Sequence, residues 1–172
     1  YELILGECSF QESLVHTEFE GLDLIPSNVN LAGAEIELLN IENREYVLHN
    51  EIEKVKDDYD FIIIDCPPSL NMLTVNAMTT ATTVLVPIQC EYYALEGLTQ
   101  LMYTINLVQE RLNPLLKMEG VVFTMYDART NLSLQVVENV KENLDTTIYK
   151  TIIPRNVRLA EAPSHGKPIN VY

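Results

Sequence analysis

The residue with the clearest chemical setting in this sequence is Asp65, which follows the apolar run 61–64 and precedes Pro67 and Pro68. A carboxylate at the tip of a buried strand has little conformational freedom. In nucleoside triphosphatases this position supports Mg²⁺, usually through a coordinated water. Two consecutive prolines fix φ and remove two hydrogen-bond donors, which makes a stiff loop that can sense a phosphate. The alternative interpretation is an aspartate that simply begins a turn after a strand.

Two further polar turns follow predicted strands and carry groups suited to rings and anions. One contains Arg129 just before a predicted helix, and the other contains Pro154 and Asn156, which could hold a base ring. Arg158 occupies the place in the second turn that Arg129 occupies in the first. Arginine suits phosphate because its planar guanidinium presents a fork of donors. Ordinary strand-to-helix connections and isolated surface arginines are the alternative interpretation of both turns.

Short apolar runs alternate with helical patterns along the chain, and these elements must position the polar residues. Five runs predict buried parallel strands, at residues 22–25, 61–64, 84–88, 120–125 and 148–153. Apolar residues at helical spacing predict helices within 43–58, 91–112 and 130–144, while Asn71 is placed to cap a further helix and Pro114 closes the long one. This alternation predicts an α/β fold, with a mostly parallel sheet flanked by helices and its ligands at the edge where the strands end.

The acidic residues are concentrated in one part of the chain, so the total charge does not describe every part of its surface. The 172 residues include 11 Lys and Arg against 25 Asp and Glu, a formal net charge of −14, which argues against a generic nucleic-acid binder. Residues 1–100 hold three basic and 18 acidic residues, whereas residues 101–172 hold eight basic and seven acidic ones. Such asymmetry is compatible with a local anion-binding face on an acidic body, and a solvated acidic surface without a partner is the alternative.

Several other classes of protein find little support in the sequence. Three cysteines without a Cys-x-x-Cys pair argue against a disulfide framework or a zinc site, and they fit a reducing cytoplasm. The longest apolar run is far shorter than the roughly 18 residues of a membrane span. The three histidines show no metal-ligand spacing, and no nucleophile-elbow motif is present. An apolar content of 47% nevertheless supports a globular core.

At these residues the sequence resembles the ParA/Soj family of chromosome- and plasmid-partitioning ATPases, which have a deviant P-loop. The resemblance runs through essentially the whole chain and is closer to Soj-type chromosomal proteins than to plasmid ParA proteins with an added DNA-binding domain. Its most specific segments are residues 24–27, 31–35, 60–70, 87–98, 126–132 and 153–163. The resemblance implies a fold like that of P-loop NTPases of the deviant Walker A type.

The resemblance also implies a nucleotide-binding role for five residues, with ATP and Mg²⁺ as cofactors. Asp65 looks like the Walker B aspartate, the catalytic-site carboxylate that supports Mg²⁺ through water. Pro67 and Pro68 look like the switch loop beside it, and Pro154 and Asn156 look like the turn that contacts adenine.

Arg129 and Arg158 match the arginines with which Soj proteins contact DNA without sequence preference. The resemblance therefore implies a cytoplasmic, nucleoid-associated bacterial ATPase that forms a homodimer on ATP, binds non-specific DNA and is stimulated by a ParB-type partner. No membrane partner is expected. The alternatives are a MinD-like positioning ATPase and a non-catalytic, truncated scaffold that binds DNA or dimerises.

Some family motifs do not occur in these 172 residues. The Walker A pattern Lys-Gly-Gly-Val-Gly-Lys-Thr and the switch aspartate are not found, and we expect both to lie upstream of Tyr1, with a last helix beyond Tyr172. Residues 1–172 are then expected to form a single incomplete ParA/Soj-type ATPase domain. Because the P-loop supplies most phosphate-binding donors and an essential lysine, we expect this chain by itself to bind ATP poorly and not to hydrolyse it.

Overall fold

The computed structural model describes residues 1–67, 69 and 71–172. The chain divides into two compact units, and each is described by itself. The first unit comprises residues 1–82 and 107–116, and the second comprises residues 83–106 and 117–172. The expectation of a single incomplete domain stays a prediction.

The first unit is built mainly from short helices joined by turns. Its α-helices are α1 (Glu2–Leu5), α2 (Phe10–Ser13), α3 (Ala34–Glu37), α4 (Val47–Ile52) and α5 (Met72–Thr80). Further 3₁₀ helices occupy Val29–Gly33, Leu38–Asn40, Arg44–Tyr46 and Lys56–Asp58. Two apolar clusters hold these pieces together. One is centred on Leu3, Phe10 and Val55, and the other on Ile4, Ala34 and Leu38.

Buried polar side chains join α5 to the segment before it. The amide of Asn76 is 1% exposed. Its Oδ1 accepts from the backbone N–H of Leu48 at 3.1 Å, and its Nδ2 donates to the carbonyl of Arg44 at 2.8 Å. Asn71 caps α5 as predicted, since its side chain accepts from the N–H of Thr74 at 3.0 Å. Residues 44–48 are therefore tied to α5 by hydrogen bonds that apolar periodicity does not reveal.

The prediction of a buried parallel strand at residues 22–25 is wrong. The strand is only β2 (Asp23–Leu24), and it pairs antiparallel with β1 (Val15–His16). The chain reverses between β1 and β2 through a turn in which Gly21 has φ 75°. The two strands form a short antiparallel ribbon in which Leu24 is half-exposed.

The predicted strand at residues 61–64 is also absent, because residues 61–67 adopt no regular secondary structure. The side chains of Phe61 and Ile63 are 86% and 91% exposed. A strand exists only when a neighbouring strand satisfies its backbone hydrogen bonds, and none of the described strands pairs with this run. The apolar composition of this run predicts burial, but composition by itself does not supply a strand partner.

The second unit contains the parallel sheet that the sequence predicts. Its strands β3 (Thr83–Gln89), β4 (Lys117–Tyr126) and β5 (Ile148–Pro154) lie in the order β3-β4-β5, and both pairs are parallel. The helices are α6 (Ala94–Arg111), whose last residues belong to the first unit, α7 (Asn131–Asn143) and α8 (Val157–Glu161), followed by a 3₁₀ turn at Ala162–His165. The predicted α/β class is confirmed.

The core of the second unit lies between its sheet and its helices. Eight buried residues form one cluster with members from β3, β4, α6 and α7, namely Val86, Ile88, Cys90, Leu98, Val121, Phe123, Val137 and Val140. Burial of this apolar surface holds α7 on the sheet and so fixes where the turns at the strand ends begin. In the described part of the chain, no helix is long and apolar enough to cross a membrane.

Candidate functional site

The sequence predicts Asp65 at the tip of a strand, but Asp65 lies in the irregular stretch 61–67 of the first unit. Asp65 is exposed, and so is Pro67 two positions later. Burial raises the pKa of the neighbouring Cys66 thiol, and the charge of Asp65 adds to this shift. Pro68, the other predicted switch-loop residue, lies outside the described residues.

The fit of this stretch to a magnesium ion is partial. An exposed carboxylate such as that of Asp65 supplies the hard oxygen ligand that Mg²⁺ prefers. Among the residues that the structure describes, however, no group of three or more metal-ligating side chains gathers around it. Asp65 can thus contribute one oxygen, directly or through water, to a site whose other ligands come from elsewhere.

The predicted adenine-contacting residues lie in the second unit, where β5 ends and α8 begins. Pro154 is the last residue of β5 and pairs with Tyr126 of β4. Asn156 caps α8, because its Oδ1 accepts from the backbone N–H of Arg158 at 2.9 Å. Both residues are exposed. The turn is held to the sheet by the N–H of Arg155, which donates to the carbonyl of Tyr126 at 2.9 Å.

Arg129 and Arg158 follow neighbouring strands at the same edge of the sheet. Arg129 comes three residues after the end of β4, and Arg158 comes four residues after the end of β5. Both are exposed, and the side chain of Arg129 is 86% accessible. The parallel sheet therefore brings Arg129 and Arg158 to one edge, and their contact with DNA stays a prediction.

The side chain of Arg129 is engaged by Asp127, a residue that the sequence analysis did not single out. Its Nε and Nη2 donate to the two carboxylate oxygens of Asp127 at 2.9 and 2.6 Å. The backbone N–H of Arg129 also donates to Asp127 Oδ1 at 3.0 Å. These hydrogen bonds hold the pKa of the Asp127 carboxyl far below its usual range, so it stays ionised. The spacing Asp-x-Arg directly after a strand was the available signal.

A second ion pair at the same edge was also missed from the sequence. The guanidinium of Arg155 donates to the carboxylate of Glu91, which lies in the turn after β3. Next to Glu91, Tyr92 and Tyr93 are exposed and contact each other edge to face, with ring centroids 5.3 Å apart. Because Glu91 and Arg155 are 64 positions apart, no local pattern indicates their contact.

Comparison with known proteins gives this geometry its context. The family model described as an AAA domain matches residues 1–118. The whole chain is 55% identical to the sporulation initiation inhibitor protein Soj of Bacillus subtilis and 52% identical to the chromosome partitioning protein ParA of Myxococcus xanthus. The chain belongs to the ParA/Soj family. It spans 68% of the length of that Soj protein and 61% of that ParA protein.

A solved structure supports the same fold for this ParA/Soj chain. The structure of cobyrinic acid a,c-diamide synthase from Mycobacterium smegmatis, with bound ADP and magnesium, aligns with a TM-score of 0.84 and 39% identity. The alignment covers 96% of this chain and 72% of the synthase. The family and the P-loop NTPase-like fold implied by the sequence are therefore confirmed.

Proposed function

We propose that this chain is part of an ATP-dependent partitioning ATPase that moves or positions DNA. The observation that carries the proposal is identity above 50% along the entire chain to proteins named for chromosome partitioning and sporulation control. The synthase structure is less similar, at 39% identity, so partitioning is the favoured activity. Hydrolysis, cargo and partners belong to the proposal, because the chain covers only part of these relatives.

The proposed cofactors are ATP and Mg²⁺. Asp65 would support the metal with a carboxylate oxygen through water, beside the loop that contains Pro67 and Pro68. The turn of Pro154 and Asn156 would contact the adenine ring. A bound magnesium would neutralise charge on the phosphates during hydrolysis. Support for these cofactors comes from the ADP and magnesium in the synthase structure and from the exposure of all the described residues of this set.

The proposed nucleic-acid face consists of Arg129 and Arg158, and its partner is DNA of any sequence. Two arginines on an acidic chain make a weak face, because few phosphates are neutralised. In the proposal, ATP-dependent dimerisation joins two such faces, and the second contact then forms at a high effective concentration. A ParB-type partner would stimulate hydrolysis and so release the DNA. Such a protein would work in the bacterial cytoplasm, on the nucleoid.

The test is DNA retention by the product of the whole reading frame that contains this chain, with and without ATP. Arg129→Glu together with Arg158→Glu should abolish ATP-dependent retention and reduce the salt dependence of binding by roughly two contacts per copy. Lys141→Glu is the matched control, because Lys141 is exposed near the other end of α7. It reverses one positive charge, as each of the two arginine substitutions does, and should leave retention intact.

Unchanged retention in the double variant would show that these arginines do not contact DNA. Vesicles of anionic lipid serve as a second surface in the same assay. ATP-dependent retention on vesicles but not on DNA would favour the MinD-like alternative. Retention on DNA that needs no ATP and persists in Asp65→Ala would favour the non-catalytic scaffold.

A further inference from the structure

The contact between Asp127 and Arg129 has a feature that a simple DNA-binding arginine does not need. Two of the five guanidinium N–H groups are used within the pair, in bonds of 2.9 and 2.6 Å to the two carboxylate oxygens. The other three donors remain on a side chain that is 86% exposed. Arg129 can therefore still reach a phosphate while it holds Asp127.

The carboxylate is placed more firmly than the arginine. Asp127 follows directly after β4, its side chain is only 19% exposed, and its N–H donates to Ser133 Oγ at 3.3 Å. Thr130 closes the same turn, because its N–H and its hydroxyl both donate to the carbonyl of Asp127 at 3.1 Å. The carboxylate is thus the fixed member of the pair, and the long arginine side chain is held against it.

The Asp127 carboxylate also opposes the binding of a phosphate to Arg129. A negative charge within hydrogen-bonding distance of the guanidinium cancels much of its attraction for an approaching phosphate. At the same time, the fixed orientation lowers the entropy lost when Arg129 binds. Since the attraction between exposed charges dominates non-specific DNA affinity, the net expectation is weaker binding than from an unpaired arginine.

We propose that Asp127 is a positioning residue that holds Arg129 in place and limits its attraction for the DNA backbone, so that one copy of the protein binds DNA weakly. The inference rests on the proposed function, because it concerns how the same DNA face is regulated. Weak binding by a single copy makes retention depend on two joined faces. Asp127 thereby sharpens the difference between the nucleotide-free and ATP-bound states.

The experiment compares Asp127→Asn with wild type in the product of the whole reading frame, using duplex DNA of random sequence over a range of salt concentrations. Asparagine keeps an oxygen that can accept from the N–H of Arg129, so the turn is preserved, while the charge is removed. We expect DNA affinity to rise about three- to tenfold at about 0.1 M salt, with a steeper salt dependence. Retention without ATP should increase more than retention with ATP.

The control for net charge is Asp145→Asn. Asp145 is exposed in the turn between α7 and β5, at the opposite edge of the sheet from Asp127. Its substitution changes the total charge equally and should leave DNA affinity nearly unchanged. The control for mechanism is Arg129→Ala, because in that background Asp127→Asn should have no further effect if Asp127 acts through Arg129.

Asp127→Ser provides a second uncharged side chain that can accept from the Arg129 N–H, should the asparagine variant fold poorly. Affinity that is unchanged or reduced in the uncharged variants, or that rises equally in the Arg129→Ala background, would overturn the inference. If Arg129→Ala alone weakens retention in the same series, the proposed function still stands. A wild-type protein that retains no DNA with ATP would overturn the proposed function itself, and the inference with it.

Discussion

At the scale of single residues, neighbouring groups determine whether a charged or polar side chain is oriented, neutralised or satisfied by hydrogen bonds. Arg129 by itself is one exposed cation, but its bonds to Asp127 determine its orientation and reduce its effective charge. Asn76 is the corresponding case in the first unit. This polar residue is almost fully buried, and it is tolerated there because its amide is satisfied by the backbone around Arg44 and Leu48.

Removing the Asn76 amide should therefore be costly. Asn76→Ala leaves the N–H of Leu48 and the carbonyl of Arg44 without their partner in a partly buried setting, and we expect a loss of about 1–3 kcal/mol in the free energy of unfolding. Urea unfolding followed by circular dichroism measures the loss. Asn139→Ala on the exposed face of α7 is the matched control and should change stability by no more than about 0.5 kcal/mol. Equal unfolding midpoints for the two variants would contradict this account.

At the scale of elements, β4 organises the second unit. It lies between β3 and β5, supplies Val121 and Phe123 to the core, and ends at the turn that carries Asp127 and Arg129. Its pairing with β3 shifts register between Met118 and Gly120, and the backbone of Gly120 has φ 150°. Glycine is required there because a Cβ would stand 2.6 Å from the carbonyl oxygen of Thr147.

Gly120→Ala should accordingly destabilise the sheet. The methyl group would collide with backbone, so the β4–β5 pairing must shift, and we expect a loss of about 1–3 kcal/mol. Gly97→Ala is the matched control, since Gly97 lies in α6 and open space surrounds the position that an added methyl group would take. That change should stabilise the helix by up to about 1 kcal/mol. Thermal unfolding of both variants measures these changes. An unchanged melting temperature for Gly120→Ala would refute the steric argument.

At the scale of the whole molecule, charge and chemistry are divided between the two parts of the sequence. The acidic excess falls in residues 1–100, together with Asp65, whereas the arginines of the candidate DNA face come later in the chain. Asp65 is exposed in a stretch without regular structure, and no group of three or more metal-ligating side chains occurs among the described residues. We therefore expect the nucleotide chemistry to need phosphate-binding donors that these 172 residues do not contain.

The 172-residue chain by itself should show no ATP hydrolysis above that of its Asp65→Ala variant. The reason is that no glycine-rich loop with an essential lysine occurs in it to hold the phosphates. Phosphate release at saturating Mg²⁺ and ATP is the measurement, with Asp60→Ala as a control for the loss of a neighbouring carboxylate. Activity that exceeds Asp65→Ala and persists in Asp60→Ala would show that the chain carries a working site.

Much of this protein is determined by its sequence alone. The apolar runs at 84–88, 120–125 and 148–153 become parallel strands because each is flanked by helices that bury one sheet, and Asn71 caps its helix because the hydrogen bond is local. The family is also recognisable from the sequence, because its motifs are contiguous segments of the chain. Local pattern failed at residues 22–25 and 61–64, where apolar composition is equally strong but the strand partner differs or is missing.

What only the tertiary structure decided are the contacts between residues whose types look ordinary in isolation. The pairing of β4 with β5 brings Arg129 and Arg158 to one edge, and it places Arg155 where its guanidinium meets Glu91, 64 positions earlier. Likewise, the folded turn after β4 brings the carboxylate of Asp127 within hydrogen-bonding distance of the Arg129 guanidinium. Sequence specifies local hydrogen bonds and burial, whereas an electrostatic face depends on distances that exist only after the strands have paired.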